Sequence, residues 1–302
     1  MRTRLLLLCP GQGSQHAAMF ELARSDARSA ALLDRLALPP LTGDIYGNRN
    51  AQPLIVAAAL AMWEAVRPFA PVPALVAGYS IGELSAYGVA GALTPQDAIA
   101  LAATRARLMD ACLDAHPGQA LLAIAGLPLA RIAALAADRH YYIGIETGED
   151  SCIAGGPAAA LEALEQTLAA AGARSTRLPV QVASHTPYMA PAVAPFAAAL
   201  QATPFAPMRS PVLAGVDAVA VRSKAPAVEQ LSRQLAETIH WQKCMDACPE
   251  AGITLALELG PGTALSRMLQ ARHPHIACRS VADFRSLAGV RAWLERESGY
   301  AA

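Results

Sequence analysis

The residues best placed to do chemistry lie in Val76-Ala77-Gly78-Tyr79-Ser80-Ile81-Gly82-Glu83-Leu84-Ser85-Ala86. Apolar residues 74–77 read as a short buried strand, and a helical pattern begins by Leu84. Between them lies Gly-x-Ser-x-Gly, a turn that lifts a serine hydroxyl above the end of a sheet. The glycines fit because a side chain at either position would crowd the crossing of strand and helix. The first amide N–H groups of the new helix have no backbone partners and can stabilise an anionic oxygen. A helix start capped by a small residue is the other reading of this stretch.

A serine hydroxyl is a poor nucleophile until a base removes its proton, so Ser80 requires a partner. The chain has seven histidines. His16, His116 and His140 sit by turns, and His240 precedes Trp241 where it could cap a helix. His273-Pro-His275 lies in a polar segment and lacks the i, i+4 spacing of zinc-binding helices, so no metal site is expected. His185 stands in an apolar setting within Ser184-His185-Thr186-Pro187-Tyr188-Met189. On spacing alone it is either a satisfied core histidine or a base. The turn Pro10-Gly11-Gln12-Gly13-Ser14-Gln15 matches no phosphate-binding signature. It can instead present the Gln12 N–H to the point that Ser80 faces.

These side chains need a scaffold. The 302 residues are 54% hydrophobic, enough for a sizeable core. Basic and acidic residues balance at 24 each, with no basic block, which argues against nucleic acid or an anionic membrane as partner. The six cysteines form no CxxC pair, so reduced thiols in a cytoplasmic protein are expected. The apolar run Leu5 to Leu8 is too short for a signal peptide, and no segment is long and apolar enough to span a membrane. The protein is expected to be soluble.

Strand–turn–helix patterns at Cys9, Gly78 and Leu259 suggest a parallel sheet whose strand ends converge on one site. Asn50 is expected to cap a helix over 51–66, and helices are expected over 95–113, 191–201, 228–239 and 263–271. From Gln119 the rhythm changes to βαββαβ, with a last strand over 173–182. That order is the ferredoxin-like split unit. The expected class is therefore α/β: a hydrolase-like parallel-sheet large domain, 1–117 plus 184–302, with an inserted ferredoxin-like small subdomain, 118–183.

Six motifs in order define a resemblance. They are 10–15, 78–83, Arg105-Ala-Arg-Leu-Met109, 184–189, Arg233-Gln234-Leu235 with Trp241, and Glu258-Leu-Gly-Pro-Gly262. Together they resemble the malonyl-CoA:acyl-carrier-protein transacylases and the related acyltransferase domains of fatty acid and polyketide synthases. Gly-Tyr-Ser in place of the usual Gly-His-Ser, with Gly43-Asp-Ile-Tyr-Gly-Asn-Arg-Asn-Ala-Gln-Pro-Leu54, looks most like the epsilon subunit of malonate decarboxylase. The resemblance implies Ser80 as nucleophile, His185 as base held by the backbone carbonyl of Gln234, and an oxyanion hole from the N–H groups of Gln12 and Ile81. It implies that Arg105 pairs with the malonyl carboxylate. Donor and acceptor would be malonyl-CoA and an acyl carrier protein with a phosphopantetheine or dephospho-CoA type arm, the malonate decarboxylase carrier on the narrower reading. No cofactor would be bound permanently. Tyr79 stands where most relatives have histidine and cannot act as base at neutral pH. A fatty-acid or polyketide type malonyl transacylase is the alternative within the family, and a serine thioesterase and a non-catalytic docking subunit are the rival readings outside it.

Overall fold

A computed structural model describes residues 3–180 and 182–299. Met1, Arg2, Gln181 and residues 300–302, which the expected domain and strand ranges include, lie outside the described residues. The chain opens with β1 (Leu5–Cys9), followed by α1 (Glu21–Arg24), α2 (Ala27–Arg35), α3 (Asn48–Val66), β2 (Leu75–Gly78), α4 (Ile81–Val89) and α5 (Pro95–Ala115). Next come β3 (Gln119–Ala125), α6 (Leu129–Ala137), β4 (Tyr142–Glu146), β5 (Ser151–Pro157), α7 (Leu161–Ala170) and β6 (Arg174–Arg177). The remainder is α8 (Ala190–Ala202), β7 (Val212–Leu213), β8 (Ala220–Val221), α9 (Lys224–Arg233), α10 (Trp241–Glu250), β9 (Leu255–Glu258), α11 (Ala264–Arg272), β10 (Ala277–Ser280) and α12 (Leu287–Ser298).

Two sheets result. The larger runs β10-β9-β1-β2-β7-β8, parallel except for β8. The run Leu5–Cys9 is apolar throughout because β1 lies mid-sheet with both faces covered. Its alternating side chains divide between two cores. Leu5, Leu7 and Cys9 join the cluster under α3, α4 and α5, while Leu6 and Leu8 join the one containing Trp241 and Met245 of α10. Strand order reverses around β1, so the crevice beyond its carboxyl end is the expected place for a ligand. Register puts Cys9 beside Gly78, so the turn after β1 and the Ser80 turn meet there.

The smaller sheet runs β4-β5-β3-β6, antiparallel throughout, with α6 and α7 packed over its own core. This is the ferredoxin-like order. It is joined to the large sheet's side through β4. Ile239 N–H donates to the Gly144 carbonyl at 2.9 Å, Glu146 N–H donates to the Ile239 carbonyl at 2.9 Å, and the Thr238 hydroxyl donates to the Ile143 carbonyl at 2.7 Å.

Several local expectations need correction. Asn50 is not a cap: α3 starts at Asn48, because Asp44 accepts the N–H groups of Tyr46 and Gly47 and turns the chain earlier. Asn50 lies in the first turn and donates to the Asp44 carbonyl. The strand expected over 173–182 stops at Arg177. His240 precedes α10 but makes no side-chain cap; its Nδ1 meets Glu146 Oε2 at 2.5 Å. The helix expected over 228–239 runs instead from Lys224 to Arg233. Among the described residues no helix is long and apolar enough to cross a membrane.

The Ser80 turn fits against β1 only because Gly82 lacks a side chain. A Cβ there would sit 2.1 Å from the Cys9 carbonyl oxygen and 2.6 Å from that of Pro10, both backbone atoms that cannot yield. We predict that Gly82→Ala costs about 3 kcal/mol of stability. Chemical denaturation checks this, and an unchanged midpoint would refute the stated packing.

Candidate active site

Ser80 sits between β2 and α4 with φ 55° and ψ −119°, a backbone conformation rarely taken by a side-chain-bearing residue. The turn holds it there: Tyr79 N–H donates to the Cys9 carbonyl, and Gly82 and Glu83 N–H groups close back on Tyr79 and Ser80. The hydroxyl is thereby aimed at His185, with Oγ 2.8 Å from Nε2. His185 also has positive φ, 62°, and its own N–H donates to the Leu235 carbonyl.

The other ring nitrogen fixes the tautomer. His185 Nδ1 lies 2.5 Å from the Gln234 carbonyl oxygen. A carbonyl only accepts, so Nδ1 carries the proton and Nε2 is left bare to receive one from Ser80. The early end of α9 makes this possible. Had the helix continued to Ile239, the Gln234 carbonyl would have been taken by an N–H four residues on; instead it is the C-cap residue and its oxygen is available. Burial is the main cause that lowers the His185 pKa to about 3, with the Arg105 charge adding to it and the Gln234 carbonyl opposing. The imidazole is therefore neutral and can accept a proton.

Arg105 of α5 is buried at 2% exposure beside this pair. Its guanidinium donates to Gln52 Oε1 at 2.9 Å, Gln234 Oε1 at 3.2 Å and Ser80 Oγ at 3.4 Å. Burial lowers its pKa to about 10 against the opposing pull of Glu83, so it stays charged at neutral pH. A fixed guanidinium next to the Ser80 hydroxyl, with neutral amides among its hydrogen-bond partners, can bind a carboxylate.

The N–H of Ile81, first in α4, and that of Gln12 donate to no other described residue. The turn carrying Gln12 lies against the Ser80 turn: a Cβ on Gly11 would be 2.9 Å from the Tyr79 carbonyl oxygen. Gln15 pins it, accepting from Gly13 N–H and donating to the Ile45 carbonyl. Unpaired N–H groups at such a turn can stabilise an oxyanion. Tyr79 has no place in proton transfer. Its ring stands edge-on to Trp241 at 5.3 Å, and burial pushes its hydroxyl pKa up.

Two residues without an assigned role also belong here. Gln52 is fully buried, accepts from Arg105 and donates to Asn48 Oδ1. Glu83, also fully buried, accepts from Gln234 Nε2 at 2.6 Å and Gly215 N–H at 3.0 Å through the same oxygen, Oε2. Burial raises its pKa to about 7, against those two hydrogen bonds and Arg105. The available signal was a lone charge in the otherwise uncharged α4 and a lone glutamine heading the apolar run of α3.

Two clefts reach residues named above, Gln12 and His185. One of about 300 Å³ is lined by Gln12, Asn48, Asp110 and Val182; a wider one of about 780 Å³ is lined by His185, Tyr142, Arg233 and His240. Ser80 and Arg105 line neither, and only the smaller reaches Gln12. The rings of His273 and His275 meet edge-on with centroids 5.8 Å apart, and His273 Nε2 lies 3.2 Å from Asp246. Among the described residues no three His, Cys, Asp or Glu side chains are grouped to hold a metal ion. All six cysteines are unbridged.

The fold and this site define an α/β protein of the acyl-transfer class. Residues 40–266 match the acyl transferase domain family. The chain is 33% identical over 304 residues to the malonyl CoA-acyl carrier protein transacylase of Mycobacterium tuberculosis, covering 95% of this chain and 100% of that one. Identity is 29% to the protein of the same name from Salmonella typhimurium, over 87% and 91% of the two chains. Among solved structures, FabD from Acinetobacter baumannii superposes with a TM-score of 0.89 at 25% identity, covering 97% of this chain and 99% of that one. A malonyl-transacylase in complex with its type II PKS acyl-carrier protein superposes with a TM-score of 0.85 at 26% identity, over 96% and 99%. The chain belongs to the malonyl-CoA:acyl-carrier-protein transacylase family and is an acyltransferase.

The His185 environment sets a pH dependence. The unfolded histidine takes a proton near 6.5 while the folded one resists to about 3, so stability present above pH 6.5 is lost as pH falls. We predict a loss of about 2 kcal/mol between pH 6.5 and 5 from this residue. Denaturation of His185→Asn, whose side chain tolerates positive φ, should show that part of the pH dependence gone; an unchanged slope refutes it.

Proposed function

We propose that this protein moves a malonyl group from malonyl-CoA, through an ester on Ser80, to the thiol of an acyl carrier protein's prosthetic arm. The observation that supports it most is the convergence on one hydroxyl. His185 Nε2 lies 2.8 Å from Ser80 Oγ, and the buried Arg105 guanidinium lies 3.4 Å from the same oxygen. The malonyl carboxylate binds Arg105 and the thioester carbonyl comes to Ser80, with the arm approaching by the cleft that Gln12 lines. His185 takes the hydroxyl proton as Oγ bonds to the carbonyl carbon. The oxyanion is held by the Gln12 and Ile81 N–H groups, each worth about 3 kcal/mol in the transition state. The C–S bond then breaks, and His185 gives the proton to the departing CoA sulfur. A carrier thiol reverses these steps, so Ser80 itself holds the acyl group and no resident cofactor is required. The reading places the reaction in the cytoplasm.

The relatives named above are free-standing malonyl transacylases, one of them solved with a type II PKS acyl-carrier protein. They favour a fatty-acid or polyketide type carrier as acceptor. The malonate decarboxylase carrier, with its dephospho-CoA type arm, is the narrower reading. It rests on Gly78-Tyr79-Ser80 and the run 43–54 alone. Presenting the malonyl-enzyme with each carrier separates the two.

Incubation with labelled malonyl-CoA should place the label on Ser80, and Ser80→Ala should take none. Discharge should need a thiol; rapid loss to water alone would indicate a thioesterase, and no label would indicate a docking subunit. Arg105→Ala should lower kcat/KM for malonyl-CoA by roughly 30- to 100-fold, from loss of a charge-assisted bond worth about 2–3 kcal/mol. Acetyl transfer should be retained or improved, and equal loss for both donors would make Arg105 structural.

A further inference from the structure

The site already contains an anion before any substrate arrives. Glu83 reaches Arg105 through one amide: Arg105 donates to Gln234 Oε1 at 3.2 Å, and Gln234 Nε2 donates to Glu83 Oε2 at 2.6 Å. The groups around the carboxylate come from every element packed on it. They are Arg105 on α5, the Gln234 amide after α9, Gly215 N–H after β7, the Cys244 thiol on α10, which feels its charge, and the Tyr87 phenol on α4 itself. Arg105 is the one cation among them. The two carboxylate oxygens differ. Oε2 accepts both hydrogen bonds, whereas Oε1 is buried without a partner.

We propose that Glu83 is a positioning residue for carboxylated acyl donors: it serves as the resident counter-ion of Arg105 through the Gln234 amide, and takes up a proton when the acyl carboxylate binds Arg105. The proposal rests on the malonyl-transfer reading above. One buried guanidinium cannot compensate two anions where water is excluded, so one carboxylate must neutralise. The acyl carboxylate gains the direct fork, while Glu83 has only a relayed contact and is the one to yield. The proton goes to the unpartnered Oε1. Oε2 keeps accepting from Gln234, so the amide does not turn, and the Gln234 carbonyl keeps its hold on His185. Burial has already raised the Glu83 pKa to about 7, so the added anion takes it across the neutral range. Its sign follows: below pH 7 the proton is already present and binding is flat with pH, whereas above pH 7 binding must draw a proton from solvent and weakens as pH rises.

The test is calorimetric binding of malonyl-CoA to the Ser80→Ala protein, which forms no ester, between pH 6.5 and 8.5 in buffers of different ionisation enthalpy. The dissociation constant should rise about five- to tenfold over this range with net proton uptake. Acetyl-CoA, lacking the second anion, should show neither. Adding Glu83→Gln, which retains an oxygen for Gln234 and Gly215 but cannot titrate, should abolish both the slope and the uptake. A flat profile in Ser80→Ala overturns the proposal, and so does a slope that survives Glu83→Gln, which would move the proton to His185. Should Glu83→Gln not fold, adding His185→Asn to Ser80→Ala decides: uptake that persists leaves the proton on Glu83, and uptake that disappears overturns the proposal. Proton uptake without Ser80 labelling in the unsubstituted protein would sink the transfer reading and leave Glu83 standing; labelling without uptake would do the reverse.

Discussion

One neutral hydrogen bond governs the site: the imidazole N–H of His185 on the Gln234 carbonyl. Many serine enzymes orient their histidine with a carboxylate, whose charge also stabilises the imidazolium. Here the holder is uncharged; burial and the nearby guanidinium keep the ring neutral, against the smaller pull of the Gln234 carbonyl. A carboxylate beside His185 would compete with an acyl carboxylate for Arg105. The neutral holder therefore suits a site whose fixed charge must be available to its ligand. Gln234 serves both ends, backbone to the base and side chain to the arginine. Its position at the end of α9 is what releases the carbonyl.

Much of this was legible in the chain. The Gly-x-Ser-x-Gly turn, the all-apolar first strand and the change of rhythm at Gln119 each have a local physical cause, and all three led to the right element. His185, Arg105 and Gln234 are 49 or more residues apart along the chain, apart from the pairing with Ser80, and only the ordered motifs singled them out. Glu83 and Gln52 were passed over because their partners lie on other elements. The end of α9 was misplaced because residues 228–239 keep a helical pattern of apolar residues, while the break is imposed by the pairing of Ile239 with β4. The edge strand β10 went unread: Ala-Cys-Arg-Ser carries no apolar alternation, and it exists because the backbone of β9 is there to pair with.

Ser80 and His185 both hold positive φ, and neither is glycine. Such conformations persist where the surroundings over-determine them. For Ser80 the cause is the crossing of β2, α4 and the turn after β1. For His185 it is the hydrogen bond from its own N–H to the Leu235 carbonyl, next to the one its ring makes. The same short segment, residues 234–235, thus holds both the backbone and the ring of His185.

That segment continues straight into the contact with the small sheet, through Thr238, Ile239 and His240 on β4. Four residues separate the carbonyl that holds the His185 ring from the backbone rung that fastens one sheet to the other. A displacement of the β4 edge would therefore reach the His185 ring through one continuous run of backbone.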